Sequence, residues 1–250
     1  MTVTIGGDVM LGRRVGAATR AAGDPVAPLR AIAGRLTAAD ISLVNLESTL
    51  AWSAGAPRQG GDSFAADPAV AAGLRRLGVD VVSLANNHSG DFGDTALVET
   101  VRRARAAGLL TLGAGRNAAE AAAPVVVERH GVRFGFLAFN AIGETPRATA
   151  TRPGARSVRM PPRTGPLNQA DLHAVTAAIV ALHSLVDVVI VLPHWGTQYT
   201  HRPHPAQRTV ARALAAAGSA FAPRVVAGAA AAAVLAPVWA NSGPPFKPAS

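Results

Sequence analysis

Short runs of branched apolar residues alternate with longer segments that place apolar side chains every three or four positions. Four runs predict buried strands, because polar or glycine-containing turns bound each of them; they are residues 3–7, 40–47, 79–84 and 186–196. The segments with helical spacing predict helices over residues 28–36, 68–77, 94–107, 168–183 and 205–217. Strands that alternate with helices predict an α/β fold.

Two further segments refine this α/β prediction. The stretch "PVVVERHGVRFGFLAFN", residues 124–140, predicts a β-hairpin with His130 and Gly131 at its turn, so the sheets should be mixed rather than purely parallel. Residues 143–166 predict a loop rich in proline, threonine and arginine. One interpretation of this loop is a guide for a polyanion, and the other is a solvated, mobile segment. Its proline-rich, basic composition favours the second. Its arginines are Arg147, Arg152, Arg156, Arg159 and Arg163.

Composition limits the classes of partner. A chain of 250 residues with 49% hydrophobic residues can bury a sizeable core as one large α/β domain or two small ones. Its formal net charge of +9 attracts anions. Nucleic acid is not expected, because aromatic residues for base stacking are few and no helix is basic along its length. A phosphorylated or polycarboxylate substrate fits the charge at least as well.

Other composition features concern covalent chemistry and location. The chain has no cysteine, which excludes disulfides, thiolate metal sites and a cysteine nucleophile. As written, it shows neither a signal peptide nor an apolar run long enough for a membrane span, so the expectation is a cytoplasmic protein with the compartment left open.

Polar side chains recur where the predicted strands end, namely Asp8, Asn45, Glu47, Asn86, Asn87, His88 and His194. In open α/β sheets, ligands bind beyond the carboxyl ends of the strands. Two carboxylates, an amide oxygen and an imidazole that meet there form an oxygen and nitrogen ligand set suited to Mn, Fe, Zn or Mg. Each residue alone has an ordinary structural explanation, such as a turn, a surface ion pair or a half-buried histidine. Their recurrence at four strand ends favours a metal site.

Four motifs, in chain order, carry a resemblance to a known family. They are "GGDVMLGR" (6–13), "NLEST" (45–49), "SLANNHSGDFG" (83–93) and "LPHWGTQY" (192–199). Together they resemble the CapA family of poly-γ-glutamate capsule synthesis proteins, which is related to calcineurin-like metallophosphoesterases. The resemblance covers roughly residues 2–217. It implies a four-layer α/β/β/α sandwich with mixed sheets and a centre of two divalent metal ions at the strand ends.

The resemblance also implies roles for individual residues. By position, the metal ligands are Asp8, Glu47, Asn87 and His194. His88 matches the catalytic histidine, which stabilises developing charge or protonates the leaving oxygen. Asp91 lies close enough in the sequence to orient the His88 ring, and a surface turn is the equally weighted alternative for Asp91. The implied substrates are anionic small molecules or polymers, either phosphoesters or poly-γ-glutamate, and the implied partners are other capsule-synthesis proteins.

The C-terminal residues depart from the family pattern. Relatives continue into a segment similar to Gly-His-x-x-His that completes the metal site, whereas residues 218–250 here form an Ala/Pro-rich tail without histidine. The expectation is a domain over residues 1–217, incomplete at its C-terminus, followed by a tail that a frameshift or a truncation would explain, with a genuinely divergent family member as the alternative. Missing histidines predict weaker metal binding.

Three functional hypotheses follow. The intact strand-end residues favour a metallophosphoesterase-like hydrolase of capsule or envelope polymer synthesis. The altered tail favours a non-catalytic pseudoenzyme, or an assembly or binding factor, with the same fold. An unrelated α/β sugar- or nucleotide-binding protein is the third, although no glycine-rich phosphate-binding motif supports it.

Overall fold

A computed structural model describes residues 1–51, 57, 62–200 and 202–219 of the chain. The strands are β1 (Val3–Val9), β2 (Ile41–Leu46), β3 (Val81–Ser83), β4 (Leu110–Leu112), β5 (Ala114–Gly115), β6 (Val125–Arg129), β7 (Val132–Asn140), β8 (Gly154–Ala155) and β9 (Val188–His194). The helices are α1 (Arg13–Ala21), α2 (Ala33–Thr37), α3 (Val70–Arg76), α4 (Asp94–Ala106), α5 (Ala118–Ala122), α6 (Gln169–His183) and α7 (Pro205–Ser219), with a 3-10 turn at Ala27–Ile32.

These strands form two main sheets and a short ribbon. In the first sheet β1, β2, β3 and β4 are neighbours in that order, and every pair is parallel. In the second sheet β7 pairs with β6 in antiparallel orientation and with β9 in parallel orientation. Strands β5 and β8 form the antiparallel ribbon. The sheets are therefore mixed, as the hairpin predicts.

The two sheets pack face to face. Alternation along β2 turns Ile41 and Leu43 toward the second sheet, and alternation along β9 turns Ile190 and Leu192 toward the first. These side chains share one buried cluster with Phe136 of β7. At the carboxyl ends of β1, β2 and β9 the same inner faces carry the polar residues Asp8, Asn45 and His194.

Helices cover the two outer faces. On the first sheet, Leu74 of α3 and Leu97 of α4 pack against Val44 and Val82. On the second sheet, α6 and α7 pack against the outward-facing side chains of β7 and β9; their contact residues are Leu172, Ile179, Leu182, Val210 and Leu214. The order helix, sheet, sheet, helix confirms the four-layer sandwich.

Most predicted elements are confirmed, with shifts of a few residues at their ends. His130 and Gly131 both have positive φ, 50° and 75°, which is the backbone that a two-residue hairpin turn requires. Helix α1 was not predicted, since no helix was expected between the strand at residues 3–7 and the helix at residues 28–36. The helix predicted over residues 28–36 is instead the 3-10 turn followed by α2.

The arginine-rich loop differs most from its favoured interpretation as a solvated, mobile segment. It contains β8, and Arg147 N–H groups donate to both carboxylate oxygens of Asp171 on α6, one of them at 2.8 Å. The same Asp171 accepts from the backbone N–H of Arg159 at 2.9 Å. A buried carboxylate that pairs with a planar guanidinium holds the loop against the second sheet's helix layer.

In the described part of the chain, no helix has the length and apolar character required to cross a membrane. Helix α7 continues to Ser219, two residues beyond the boundary predicted at residue 217. The rest of the predicted tail, residues 220–250, lies outside the described residues.

Candidate metal centre

A bulge in β1 aims Asp8 at the inner face of the first sheet. Ile5 pairs with Leu43 and Asp8 pairs with Asn45, so β1 uses one more residue than β2 over this interval. Without that extra residue, Asp8 and Ile5 would face opposite sides of the sheet. The bulge lies at Gly6 and Gly7, and a Cβ on Gly6 would lie 3.0 Å from Val44. The "GGD" sequence thus provides the space and the register shift that place a carboxylate at the rim.

Strand alternation brings the other residues to the same rim. On β2, Asn45 follows Leu43 by two positions and Glu47 follows Asn45 by two, so all three share the inner face. On β9, His194 lies two positions beyond Leu192 and faces the first sheet for the same reason. Residues from both sheets therefore meet where the strands end.

Asp8, Glu47 and His194 form one cluster of potential metal ligands. A carboxylate oxygen of each acid and a ring nitrogen of the histidine all lie within 4.8 Å of one another. His194 Nε2 is 3.5 Å from Glu47 Oε1, and His194 Nδ1 is 3.9 Å from Asp8 Oδ1. Their side chains are 9, 12 and 6% exposed for Asp8, Glu47 and His194, so the cluster is shielded from most solvent.

The electrostatics of this cluster favour a cation. Burial, followed by the nearby Asp8 charge, raises the pKa of Glu47 to about 9. Burial also raises the pKa of Asp8, whose Oδ2 is buried without a hydrogen-bond partner in the described structure. Burial, with the His88 charge, lowers the pKa of His194 to about 3, which leaves its imidazole neutral. Two buried acids with raised pKa values, a carboxylate oxygen without a hydrogen-bond partner and a neutral imidazole fit a hard or borderline divalent cation.

An amide network fixes the cluster from behind. Asn45 Nδ2 donates to Asp8 Oδ1 at 2.8 Å and lies 3.4 Å from His194 Nδ1. Asn86 Nδ2 in turn donates to Asn45 Oδ1 at 3.0 Å and to the Leu46 carbonyl at 2.9 Å. Outer-sphere hydrogen bonds of this kind fix ligand orientation at metal sites.

Asn87 and His88 lie beside the cluster. Asn87 Oδ1 is 2.8 Å from His194 Nε2, so the predicted amide ligand touches the triad. His88 Nε2 is 3.8 Å from Glu47 Oε1. The His88 ring stacks on Phe64, with 3.7 Å between centroids and 22° between planes. Both side chains therefore contact the cluster of Asp8, Glu47 and His194.

Asp91 is buried beneath His88 rather than exposed on a turn. Its Oδ2 lies 2.8 Å from His88 Nδ1 and accepts from the backbone N–H of Phe64 at 2.7 Å. None of its side chain is exposed. This burial excludes the surface-turn interpretation, and the contact is the one that an orienting carboxylate makes.

Comparison with known proteins gives the family. Residues 2–232 match the family model described as "Bacterial capsule synthesis protein PGA_cap". The chain belongs to the PGA_cap family. "Capsule biosynthesis protein CapA" of Bacillus anthracis is 28% identical over 88% of this chain and 52% of its own length. A "Probable polyglutamine synthesis accessory protein" of Mycobacterium tuberculosis is 30% identical over 87% of this chain and 66% of its own.

The chain spans about half to two thirds of the length of these two relatives, so the similarity covers only part of each of them. A solved structure of a hypothetical protein from Thermus thermophilus is 18% identical, with a TM-score of 0.43 over 86% of this chain and 63% of that chain. The family prediction made from the four motifs is confirmed.

The structure brings together all six residues predicted for the PGA_cap site: Asp8, Glu47, Asn87, His88, Asp91 and His194. Their roles as ligands and catalytic groups remain predictions. Sequence reasoning missed Phe64 and Glu144 at this rim. Glu144 accepts from Asn87 Nδ2 at 2.6 Å, and it lies in the arginine-rich loop, whose composition suggested a polyanion guide but no contact with the metal ligands. Phe64 follows residues 58–61, which lie outside the described structure.

Proposed function

We propose that this PGA_cap protein is a divalent-cation-dependent hydrolase or transferase of capsule polymer synthesis. Its substrate would be a phosphoester or an acyl bond of poly-γ-glutamate. The observation that carries the proposal is the buried cluster of Asp8, Glu47 and His194 within 4.8 Å. The names of the relatives support the capsule pathway, and its other components are the proposed partners.

Asp8, Glu47 and His194 would hold a cation, with the Asn87 oxygen adjacent as a further ligand. When bound, a divalent cation supplies Lewis-acid chemistry by polarising a phosphoryl or carbonyl oxygen. The residues leave Mn, Fe, Zn and Mg as candidates. The predicted second cation would need ligands besides this triad and stays a prediction.

His88 would move the proton of the reaction. Asp91 accepts from Nδ1–H, so the second proton of the imidazolium form lies on Nε2, which can give it to a leaving oxygen and become the neutral ring. Phe64 excludes water from one face of the imidazole through its stacking contact. Asp91 keeps the ring orientation constant while the proton moves.

A cation-binding factor without turnover is the second candidate. Within the residues that the structure describes, one group of three carboxylate and imidazole ligands meets, whereas two-cation hydrolysis needs a larger set. The ligand cluster supports cation binding for both candidates. Only a measurement of substrate turnover distinguishes them.

Calorimetric titration with Mn²⁺ and hydrolysis assays on a phosphodiester and on poly-γ-glutamate test the proposal. His88→Asn should reduce turnover by about 10²–10⁴-fold and leave Mn²⁺ affinity within about twofold, because His88 lies outside the triad. Asp187→Asn, which alters an exposed ion pair with Arg133, is the matched control. Cation binding without turnover would establish the second candidate, and absence of cation binding would reject both.

A further inference from the structure

Glu144 reaches the metal centre from a loop that the sequence motifs do not include. It follows β7, and its Oε2 accepts from Asn87 Nδ2 at 2.6 Å. Its φ is 64°, and that of Gly143 is 92°, so two consecutive residues occupy the left-handed region. A glutamate rarely adopts this conformation, and such residues cluster at functional sites when the surroundings hold them there.

Hydrogen bonds to the Asn86–Asp91 segment hold that loop in place. Asn140 Nδ2 donates to the carbonyl oxygens of Asn86 and Gly143, at 3.2 and 2.8 Å. The backbone N–H of Gly90 donates to Thr145 Oγ1 at 2.9 Å. These hydrogen bonds hold the loop backbone in the position that lets the Glu144 carboxylate contact Asn87.

The contact with Glu144 determines which end of the Asn87 amide faces the metal centre. An ionised carboxylate only accepts hydrogen bonds, so the NH₂ group of Asn87 must face Glu144 and Oδ1 must face His194. The contacts on the other side of His194 agree. In the cation-free chain, Asn45 Nδ2 lies 3.4 Å from His194 Nδ1, and with the His194 hydrogen on Nε2 the ring donates to Asn87 Oδ1. A cation that binds a nitrogen of His194 would displace one of these two contacts. A reversed amide would present N–H groups to the cluster, and these cannot bind a cation.

Arg163 shares the carboxylate of Glu144. One of its N–H groups donates to Glu144 Oε1 at 3.0 Å, and its side chain is 39% exposed. Other arginines of the same loop have different partners, since Arg147 pairs with Asp171 and Arg152 with Asp94. Arg163 is thus linked to Asn87 through Glu144, which accepts a hydrogen bond from each of them. The other N–H groups of its guanidinium can donate to an anion.

We propose that Glu144 is the positioning residue that turns the Asn87 oxygen toward the metal centre, and that Arg163 recognises an anionic group of the substrate. The anion is a phosphate or a carboxylate, either of which a guanidinium binds through paired N–H groups. The role of the Asn87 oxygen as a cation ligand rests on the proposed function. The orientation of the amide is a property of the cation-free chain.

NMR on the cation-free full chain tests the positioning role directly. The side-chain NH₂ signal of Asn87, assigned with Asn87→Asp, should have the downfield shift and slow exchange of a group bonded to a carboxylate. Glu144→Ala should remove both, whereas Arg152→Ala, which breaks an ion pair elsewhere in the loop, should leave them unchanged. If Glu144→Ala does not fold, Glu144→Gln is the second variant and should weaken both signatures. An unaltered Asn87 signal would overturn the positioning role, whether or not the chain binds Mn²⁺.

Titrations test the consequences for ligands. Glu144→Ala should weaken Mn²⁺ binding by about 10–100-fold, as loss of an orienting partner does at other metal sites. Arg163→Ala should weaken binding of inorganic phosphate about tenfold and leave the Asn87 signal in place. Wild-type affinity for phosphate in Arg163→Ala, or no phosphate binding by the wild type, would overturn the recognition role. Absence of Mn²⁺ binding by the wild type would reject the proposed function. The orientation of the Asn87 amide measured by NMR would still stand.

Discussion

Asp8 and Glu47 place two carboxyl groups in one buried cluster, where burial raises the pKa of both and the Asp8 charge raises the pKa of Glu47 further. In the cation-free chain this arrangement destabilises the folded state near neutral pH, because one acid must be protonated or an unpaired charge must be buried. Residues that lower stability in this way are typical of sites selected for binding.

Replacing Glu47 with glutamine should have opposite effects on two properties: it should stabilise the cation-free protein and weaken its binding of Mn²⁺. In cation-free protein at about pH 8, Glu47→Gln should raise the melting temperature by about 2–4 °C, the shift that 1 kcal/mol produces in a chain of this size. Mn²⁺ at about 100 times its Kd should stabilise the wild type by about 2.7 kcal/mol and the variant hardly at all. Calorimetric scans with and without EDTA measure both effects. A variant that melts earlier than the wild type and still responds to Mn²⁺ would contradict this account.

Single residues differed in how far their positions could be predicted. Asp8 and Glu47 lie at the ends of neighbouring parallel strands, so the rule that such strands end at a shared edge predicts that the two are close. The β1 bulge, which turns Asp8 inward, and the packing of the second sheet, which brings His194 to the same edge, do not follow from that rule. Glu144 follows a strand too, but it lies behind Ala141 and Gly143 in a loop whose path depends on contacts with the Asn86–Asp91 segment. No local pattern in the sequence encodes those contacts.

At the scale of elements, the bulge in β1 shows what strand patterns leave out. The two glycines before Asp8 predict a turn or a close approach, and the register with β2 decides which of these occurs. The same limit applies to the arginine-rich loop. Composition favoured a mobile segment, whereas the ion pair of Arg147 with Asp171 depends on a helix 24 positions away in the sequence.

That ion pair predicts an acid-sensitive contribution to stability. Burial alone would raise the pKa of Asp171, but hydrogen bonds from Arg147 and the Arg159 N–H outweigh it and lower the pKa below 3.8. A lowered folded-state pKa stabilises the fold above the unfolded pKa, and this contribution disappears as pH falls through the folded value. The wild type should therefore have a higher free energy of unfolding than Asp171→Asn at about pH 6. This difference in free energy should disappear as the pH falls below about 4.

Urea unfolding at several pH values measures this gap. Asp187→Asn is the control, since its partner Arg133 and the Asp187 carboxylate are about half exposed and such pairs contribute little. A gap between wild type and Asp171→Asn that stays constant from about pH 6 to pH 3 would show that the ion pair does not couple the loop to α6.

At the scale of the whole molecule, the candidate metal centre contains residues from both sheets. Asp8 and Glu47 come from the first sheet and His194 from the second, so a bound cation would cross-link the halves of the sandwich at their carboxyl ends. The four-layer architecture was predictable from the order of motifs, because that order carried the family resemblance. The packing of one sheet on the other follows from alternation along β2 and β9.

The most direct test of this account is a crystal structure of the full chain grown with Mn²⁺, with diffraction data collected at the manganese absorption edge. An anomalous peak within bonding distance of Asp8, Glu47 and His194 is expected, and crystals of Glu47→Gln should lack it. Well-ordered Asp8, Glu47 and His194 side chains with no anomalous peak between them, or a peak bound elsewhere on the chain, would contradict it.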